Sequence, residues 1–307
     1  MSASGGLLPR PEVFSGEFAV LIARLIADPQ GLETRVERAT TAIEAAGMRL
    51  AKVQMLDFGG DVLQFALPEG DPAKLRAIVD DHFAPCDMLV STREIVTPNI
   101  FVSDMDSTMI GQECIDELAD FAGLKVHVAA ITERAMQGEL DFESALRERV
   151  GLLAGLDESA IAECLEQRIA PMAGAKELVA ALRNAGCRTV LVTGGFHHFA
   201  DPVAEMLGFD RVVGNRLAVA DGKLTGGLVG PITDSSVKRQ VLEEECRALG
   251  SDAVSLATGD GANDIPMIEL ADFGFAYHAK PKARAAANGA VDQGDLTSIL
   301  RLLEIAS

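Results

Sequence analysis

Three short apolar runs, at residues 100–103, 189–192 and 255–258, each break off at a polar or glycine-bearing turn, and amphipathic helical patterns separate them. That alternation limits the chain after Pro98 to a parallel α/β sheet. Strands buried on both faces read as continuous apolar stretches, and parallel neighbours need helical crossovers. Open sheets of this kind place their sites at the carboxyl ends of the strands. Between the first and second runs, about residues 111–169 are largely helical and too long for a simple crossover, so a cap over that edge is expected. Asp221-Gly222 lies between two alternating runs within residues 213–225, a hairpin signal.

Ahead of this region the pattern differs. Residues 1–14 are small, punctuated by Gly and Pro and without periodicity, and read as a flexible leader. From about residue 15 to 95 an apolar run at 18–25, a helical face of Val36, Ala39, Ile43 and Ala46, and alternating runs at 50–57 and 62–67 succeed one another. Phe58-Gly59-Gly60-Asp61 has hairpin-turn composition, and a second helix near 72–82 and a strand near 87–91 complete the unit. The order βαββαβ is that of a ferredoxin-like α+β domain. At 307 residues the chain exceeds what one core ordinarily fills, roughly 250 to 300 residues, so two domains are expected, 15–95 and 96–307.

Composition excludes several classes of function. With 46 acidic against 27 basic side chains, a net charge of -19 and no basic block, nothing matches the backbone of a nucleic acid. An anionic substrate would need a local cluster of cations or a bound metal. The five cysteines are scattered without ligand spacing and read as small buried hydrophobes. Neither a signal-peptide pattern nor a span of roughly 18 apolar residues is present, so no membrane association and a cytoplasmic location are expected. Gly194-Gly195 and Gly226-Gly227 form no nucleotide-binding P-loop, and His197-His198 has no partner at metal-ligand spacing, which points to a structural role.

Chemistry concentrates where the first apolar run empties into Asp104-Met105-Asp106-Ser107-Thr108. Like charges about 4 Å apart repel by roughly 4 kcal/mol at an effective dielectric of 20, so such a pair persists mainly when a cation or a shared proton offsets it. This segment is similar to motif I, Asp-x-Asp-x-Thr, of the haloacid dehalogenase-like (HAD) hydrolases. Val190-Leu191-Val192-Thr193-Gly194-Gly195-Phe196 resembles motif II, Lys238 stands where motif III supplies a basic residue, and Gly259-Asp260-Gly261-Ala262-Asn263-Asp264 resembles motif IV. Within that superfamily, residues 95–295 resemble the phosphoserine phosphatase family through Ile110-Gly111-Gln112-Glu113, Met136, Phe142 and Leu146-Arg147-Glu148-Arg149-Val150. Thr193 stands where that family more usually has Ser. The loop Ala27-Asp28-Pro29-Gln30-Gly31-Leu32 resembles the corresponding loop of ACT domains.

These resemblances imply a HAD-like doubly wound parallel sheet with a helical cap, preceded by an ACT-like domain. They imply a Mg2+-dependent phosphomonoesterase acting on phosphoserine, the last step of serine biosynthesis, with Asp104 as nucleophile and Asp106 as general acid and base. Magnesium would be bound by the carboxylates of Asp104 and Asp260 and the backbone carbonyl of Asp106. Lys238, the Thr193 hydroxyl and the Gly194 amide would hold the phosphoryl group, with Asn263 orienting lysine or phosphate. Glu113 would take the substrate ammonium and Arg149 its carboxylate, with Met136 and Phe142 walling the pocket. The alternatives are a HAD phosphatase or phosphotransferase for another small phosphomonoester, or an amino-acid sensor with a decayed catalytic part. Retention of both aspartates, Lys238 and Asp260 argues against decay. Asp106 disfavours a dehalogenase, whose departing halide needs no acid, and also an ion pump, which has Thr there. The N-terminal module is expected either to bind a small amino-acid effector or to serve only in packing or homodimer formation.

Overall fold

The computed structural model describes residues 21–57, 61–136 and 139–306, which leaves the leader and Phe58 to Gly60 of the turn outside the described residues. The first unit contains β1 (Leu21–Ile26), α1 (Leu32–Ala45), β2 (Lys52–Met55), β3 (Val62–Leu67), α2 (Pro72–Phe83) and β4 (Asp87–Ser91). Its antiparallel strands run β2-β3-β1-β4, with Ala23 of β1 opposite Phe65 on one side and Val90 on the other. Asp71 starts α2 by accepting from the amides of Ala73 at 2.9 Å and Lys74 at 3.3 Å, and Pro72 fills the first helical position, where no amide donor is needed. Ala39 and Ile43 of α1 and Leu75, Val79 and Phe83 of α2 pack with Leu25, Phe65 and Met88 into one core. The strand and helix order matches the alternation read from the sequence.

The second unit begins at β5 (Ile100–Ser103) and continues through α3 (Cys114–Phe121), α4 (Lys125–Met136), α5 (Phe142–Leu152) and α6 (Ser159–Arg168). Then follow α7 (Ala175–Asn184), β6 (Arg188–Phe196), α8 (His197–Leu207), β7 (Arg211–Ala220), β8 (Lys223–Val229) and α9 (Ser235–Leu249). The chain closes with β9 (Ser255–Gly259), α10 (Ile265–Leu270), β10 (Phe273–Tyr277), α11 (Pro281–Ala286), β11 (Gly289–Val291) and α12 (Thr297–Leu302). Strands β11, β10, β9, β5, β6 and β7 are parallel neighbours, and β8 pairs antiparallel to β7 across the expected turn at Asp221-Gly222. Along β5, Ile100 and Val102 pack with Val190, Ala257 and Leu242 on one face, while Phe101 packs with Leu191, Phe199 and Tyr277 on the other. Two buried faces explain why this strand is apolar without alternation.

Helices α3 to α6 form the cap inserted between β5 and β6. Its two ends are stitched together by the bridge Ile110–Pro171 and by the Met172 amide donating to the Met109 carbonyl at 2.9 Å. Both units share one sheet, because β4 pairs antiparallel with β11, Leu89 opposite Gly289 and Met88 opposite Ala290. All five residues of β4 are buried, so an open edge there would expose an apolar strand. The joint is also polar. Asp87, 2% exposed, accepts from the amides of Asp292 and Gln293 at 2.8 Å each, from Gly294 at 3.0 Å and from the Ser298 hydroxyl at 2.7 Å.

Candidate active site

Strands β5, β6 and β9 deliver their motifs to one edge of the sheet. The Asp104 amide donates to the Thr258 carbonyl at 3.0 Å, tying the ends of β5 and β9 together. The chain then turns back on itself, with the amides of Met109 and Ile110 donating to the Met105 carbonyl at 2.8 and 3.1 Å and Ser107 in the left-handed region at φ 55°. A non-glycine residue there is strained, and the turn places two carboxylates, Asp104 and Asp106, on the floor of one cavity.

Lys238, 1% exposed in the first turn of α9, donates from Nζ to Asp104 Oδ1 and to Asp264 Oδ1, each at 2.6 Å. Asp264 Oδ2 accepts from the Gly261 amide at 2.9 Å. Burial, and then the neighbouring Asp264, push the Asp104 carboxyl up from the ordinary range, while Lys238 pulls it back. Burial alone would lower the lysine, but the two aspartates raise it, so the ammonium stays charged. Asp106 is pushed up to about 7, first by burial and then by the charge of Glu113, against a hydrogen bond from the Cys114 amide at 3.3 Å.

One carboxylate oxygen from each of Asp104, Asp260 and Asp264 lies within 4.8 Å of the other two. Burial raises Asp260 as well, with Asp264 adding to the effect and Lys280 opposing it. Three carboxylates around a single buried ammonium carry an excess of negative charge, and their donors are all oxygen. Such a set fits a hard divalent cation. The carboxylate of Asp106 is not among the three; the role expected for that residue rests on its backbone carbonyl.

The cavity, about 270 Å³, is lined by Asp104, Asp106, Thr193, Gly194, Asp260 and Asn263 from the sheet side and by Glu113, Phe142, Leu146 and Arg149 from the cap. Thr193 is buried in the last half of β6, where the register shifts after Val192, and its Oγ1 accepts from the Gly195 amide at 2.8 Å. A Cβ on Gly195 would stand 3.0 Å from Asp106 Oδ2 and 3.1 Å from Thr193 Oγ1, so a side chain there would crowd both. Glu113 Oε1 accepts from the Ser107 hydroxyl at 2.8 Å. Desolvation raises its carboxyl, the Ser107 bond opposes this, and Asp260 adds to it. Burial lowers the Arg149 pKa, but a guanidinium remains cationic.

Every site residue read from the sequence is thus gathered here, eight on the cavity wall and Lys238 directly behind it. The Met136 side chain lies outside the described residues. His197 is occupied by Asp201 at 2.8 Å on α8. Two neighbours of these residues were missed. Asp264 stood inside the recognised Gly-Asp-Gly-Ala-Asn-Asp string without a role of its own. Lys280 lines the cavity from the turn before α11, and no spacing in the sequence marks it.

A parallel sheet with paired aspartates at one strand end and a buried lysine bridging to a third carboxylate defines a class. Residues 101–269 match the haloacid dehalogenase-like hydrolase family, and the chain belongs to it. Its relatives narrow this to phosphoserine phosphatases. That of Albidiferax ferrireducens is 45% identical over 207 residues, covering 66% of this chain and 87% of the relative. The crystal structure of a probable phosphoserine phosphatase from Vibrio cholerae superposes with a TM-score of 0.71 at 31% identity, over 93% of this chain and 86% of the other. A phosphoserine phosphatase solved as a phospho-aspartyl intermediate analogue gives 0.61 at 38% identity, over 67% of this chain and 98% of the other.

Proposed function

We propose that this chain is a phosphoserine phosphatase, converting O-phosphoserine to serine and phosphate through an aspartyl-phosphate on Asp104. One observation carries the reading. A single cavity of about 270 Å³ sets Asp104 and Asp106 on its floor and two cap residues of opposite charge, Glu113 and Arg149, on its wall. That charge pattern matches a phosphomonoester bearing one ammonium and one carboxylate.

Asp104 attacks phosphorus, the bond from phosphorus to the seryl oxygen breaks, and Asp106 gives its proton to that oxygen. Asp106 then takes a proton from water as the water oxygen attacks phosphorus and the Asp104 carboxylate leaves. A carboxyl poised at about 7 suits both transfers near neutral pH. Lys238 holds Asp104 Oδ1, opposes the rise that burial gives the nucleophile's carboxyl, and has a third donor for a phosphoryl oxygen. The Thr193 hydroxyl and the Gly194 amide face the phosphoryl oxygens, and Asn263 orients them. A Mg2+ ion held by Asp104, Asp260 and the Asp106 carbonyl, with Asp264 beside them, would neutralise phosphoryl charge.

Among the described residues no helix is long and apolar enough to cross a membrane. We place the enzyme in the cytoplasm at the last step of serine biosynthesis. The unit of about residues 15–95 is read as an ACT-like module that binds an amino-acid effector and acts through the cap or a homodimer. Calorimetry on the full chain with serine and other amino acids tests this, and no binding would leave the module a packing role. Phosphate release with Mg2+, compared across phosphoserine, phosphothreonine and sugar phosphates, tests the main reading. Equal or higher efficiency on another phosphomonoester would refute phosphoserine as the substrate.

A further inference from the structure

Four acidic side chains face the cavity, Asp104, Asp106, Glu113 and Asp260, in a chain of net charge -19, and the proposed substrate is itself an anion. Lys238 commits two of its three donors to Asp104 and Asp264. Among the described residues, two further cations lie on the cavity wall. Arg149 belongs to the cap and is assigned to the substrate carboxylate, which leaves Lys280 as the further cation that can join Lys238 at the phosphate.

The main chain under Lys280 is fixed. Its amide donates to the Asp260 carbonyl at 2.9 Å, its carbonyl accepts from the Arg284 amide at 3.0 Å, and Pro281 follows it. Arg284 is in turn bonded to Asp80 at 2.7 Å and to Asp292 at 2.8 Å. The side chain, by contrast, is 74% exposed, and Nζ lies 3.7 Å from Asp260 Oδ2, longer than a hydrogen bond. Desolvation raises the carboxyl of Glu113 on the facing cap, and the charge of Lys280 opposes that rise. An ammonium anchored at its base, loosely paired at its tip and nearly unburied exchanges partners at little desolvation cost.

We propose that Lys280 is a substrate-binding residue: its ammonium leaves Asp260 for the phosphoryl oxygens of the incoming substrate, and Asp260 is thereby freed for a divalent cation. This rests on the reading of the cavity as a phosphomonoesterase site.

The two halves of the exchange give opposite signs in binding. Calorimetry on Lys280→Ala should show Mg2+ binding about two- to fivefold tighter, because a positive charge beside Asp260 is gone. Inorganic phosphate, titrated with Mg2+ saturating, should bind about two- to tenfold more weakly. KM for phosphoserine should rise by a similar factor with kcat within about twofold, and kcat/KM should fall less steeply with added salt than in the wild type. Lys280→Arg should keep phosphate affinity. Weaker binding of both ions in Lys280→Ala would mean a structural role, and unchanged affinity for both would mean a bystander; either overturns the proposal while leaving the phosphatase reading intact. A wild-type chain that binds Mg2+ but neither binds phosphate nor releases it from phosphoserine would overturn both.

Discussion

Replacing Lys238 by Met keeps the length of the side chain and removes its charge. Two buried carboxylates, Asp104 on the cavity floor and Asp264 behind it, each lose a 2.6 Å partner. Truncating one member of a buried ion pair typically costs about 3 to 5 kcal/mol, because the charge left behind has no counter-ion. The chain limits that loss by protonating one aspartate. Protonation at pH 5 costs only about 1.5 kcal/mol, the distance from an ordinary aspartate pKa near 3.9, so the full penalty appears only at higher pH. Burial already raises Asp104 with Lys238 in place, which sets the sign: stability tied to its protonated form is present below the unfolded pKa and is lost as pH rises through the folded one. With roughly 2 to 4 °C of melting temperature per kcal/mol in a core of this size, Lys238→Met should melt about 6 to 20 °C below wild type at pH 8 and about 3 to 6 °C below it at pH 5. Scanning fluorimetry of the metal-free proteins at the two pH values measures this, and Mg2+ at pH 8 should recover part of the loss. Equal losses at both pH values would refute the claim that a buried, uncompensated carboxylate is what the lysine prevents.

Asp106→Asn should retain the fold and lose about 10²- to 10⁴-fold in kcat, since both steps lose their proton carrier; unchanged rates of phosphoenzyme formation and breakdown in rapid quench would rule that role out. Arg149→Ala should cost phosphoserine hydrolysis about 30-fold to several thousand-fold and phosphoethanolamine hydrolysis far less, whereas Glu113→Gln should impair both, because both substrates carry an ammonium. Equal losses for the two substrates in both variants would make these residues structural. Burial raises the carboxyls of Asp104, Asp106 and Asp260, with Asp106 at about 7, so between ordinary aspartate values and neutrality the folded chain holds more protons than the unfolded one. Metal-free wild type should therefore melt at lower temperature as pH rises from 5 to 8, and Mg2+ should stabilise it more at pH 8 than at pH 5; a metal-free melting temperature that rises over that window contradicts the assignment.

The fold class and most of the site were legible in the residues themselves, for local reasons. A strand buried on both faces must be apolar throughout, so Ile100–Ser103 announced a central parallel strand, and the carboxylates that follow it had to lie at the sheet's carboxyl edge. Asp104, Asp106, Thr193, Lys238 and Asp260 were found because the segments that carry them, each within a few residues of such a strand end or a helix start, resemble one family's motifs in order. What has no local signature had to await the tertiary structure. Asp264 differs from any other aspartate in a turn only because folding brings Lys238 to 2.6 Å from it across 26 residues. Lys280 became a cavity residue because α11 is clamped between Asp80 and Asp292, which puts the preceding turn beside Asp260. The union of the two units through β4 and β11 was equally hidden. The apolar run Met88–Val90 marks a buried strand, but backbone hydrogen bonds set which strand lies beside it, and three residues as plain as Gly289–Val291 carry no pattern that names their partner.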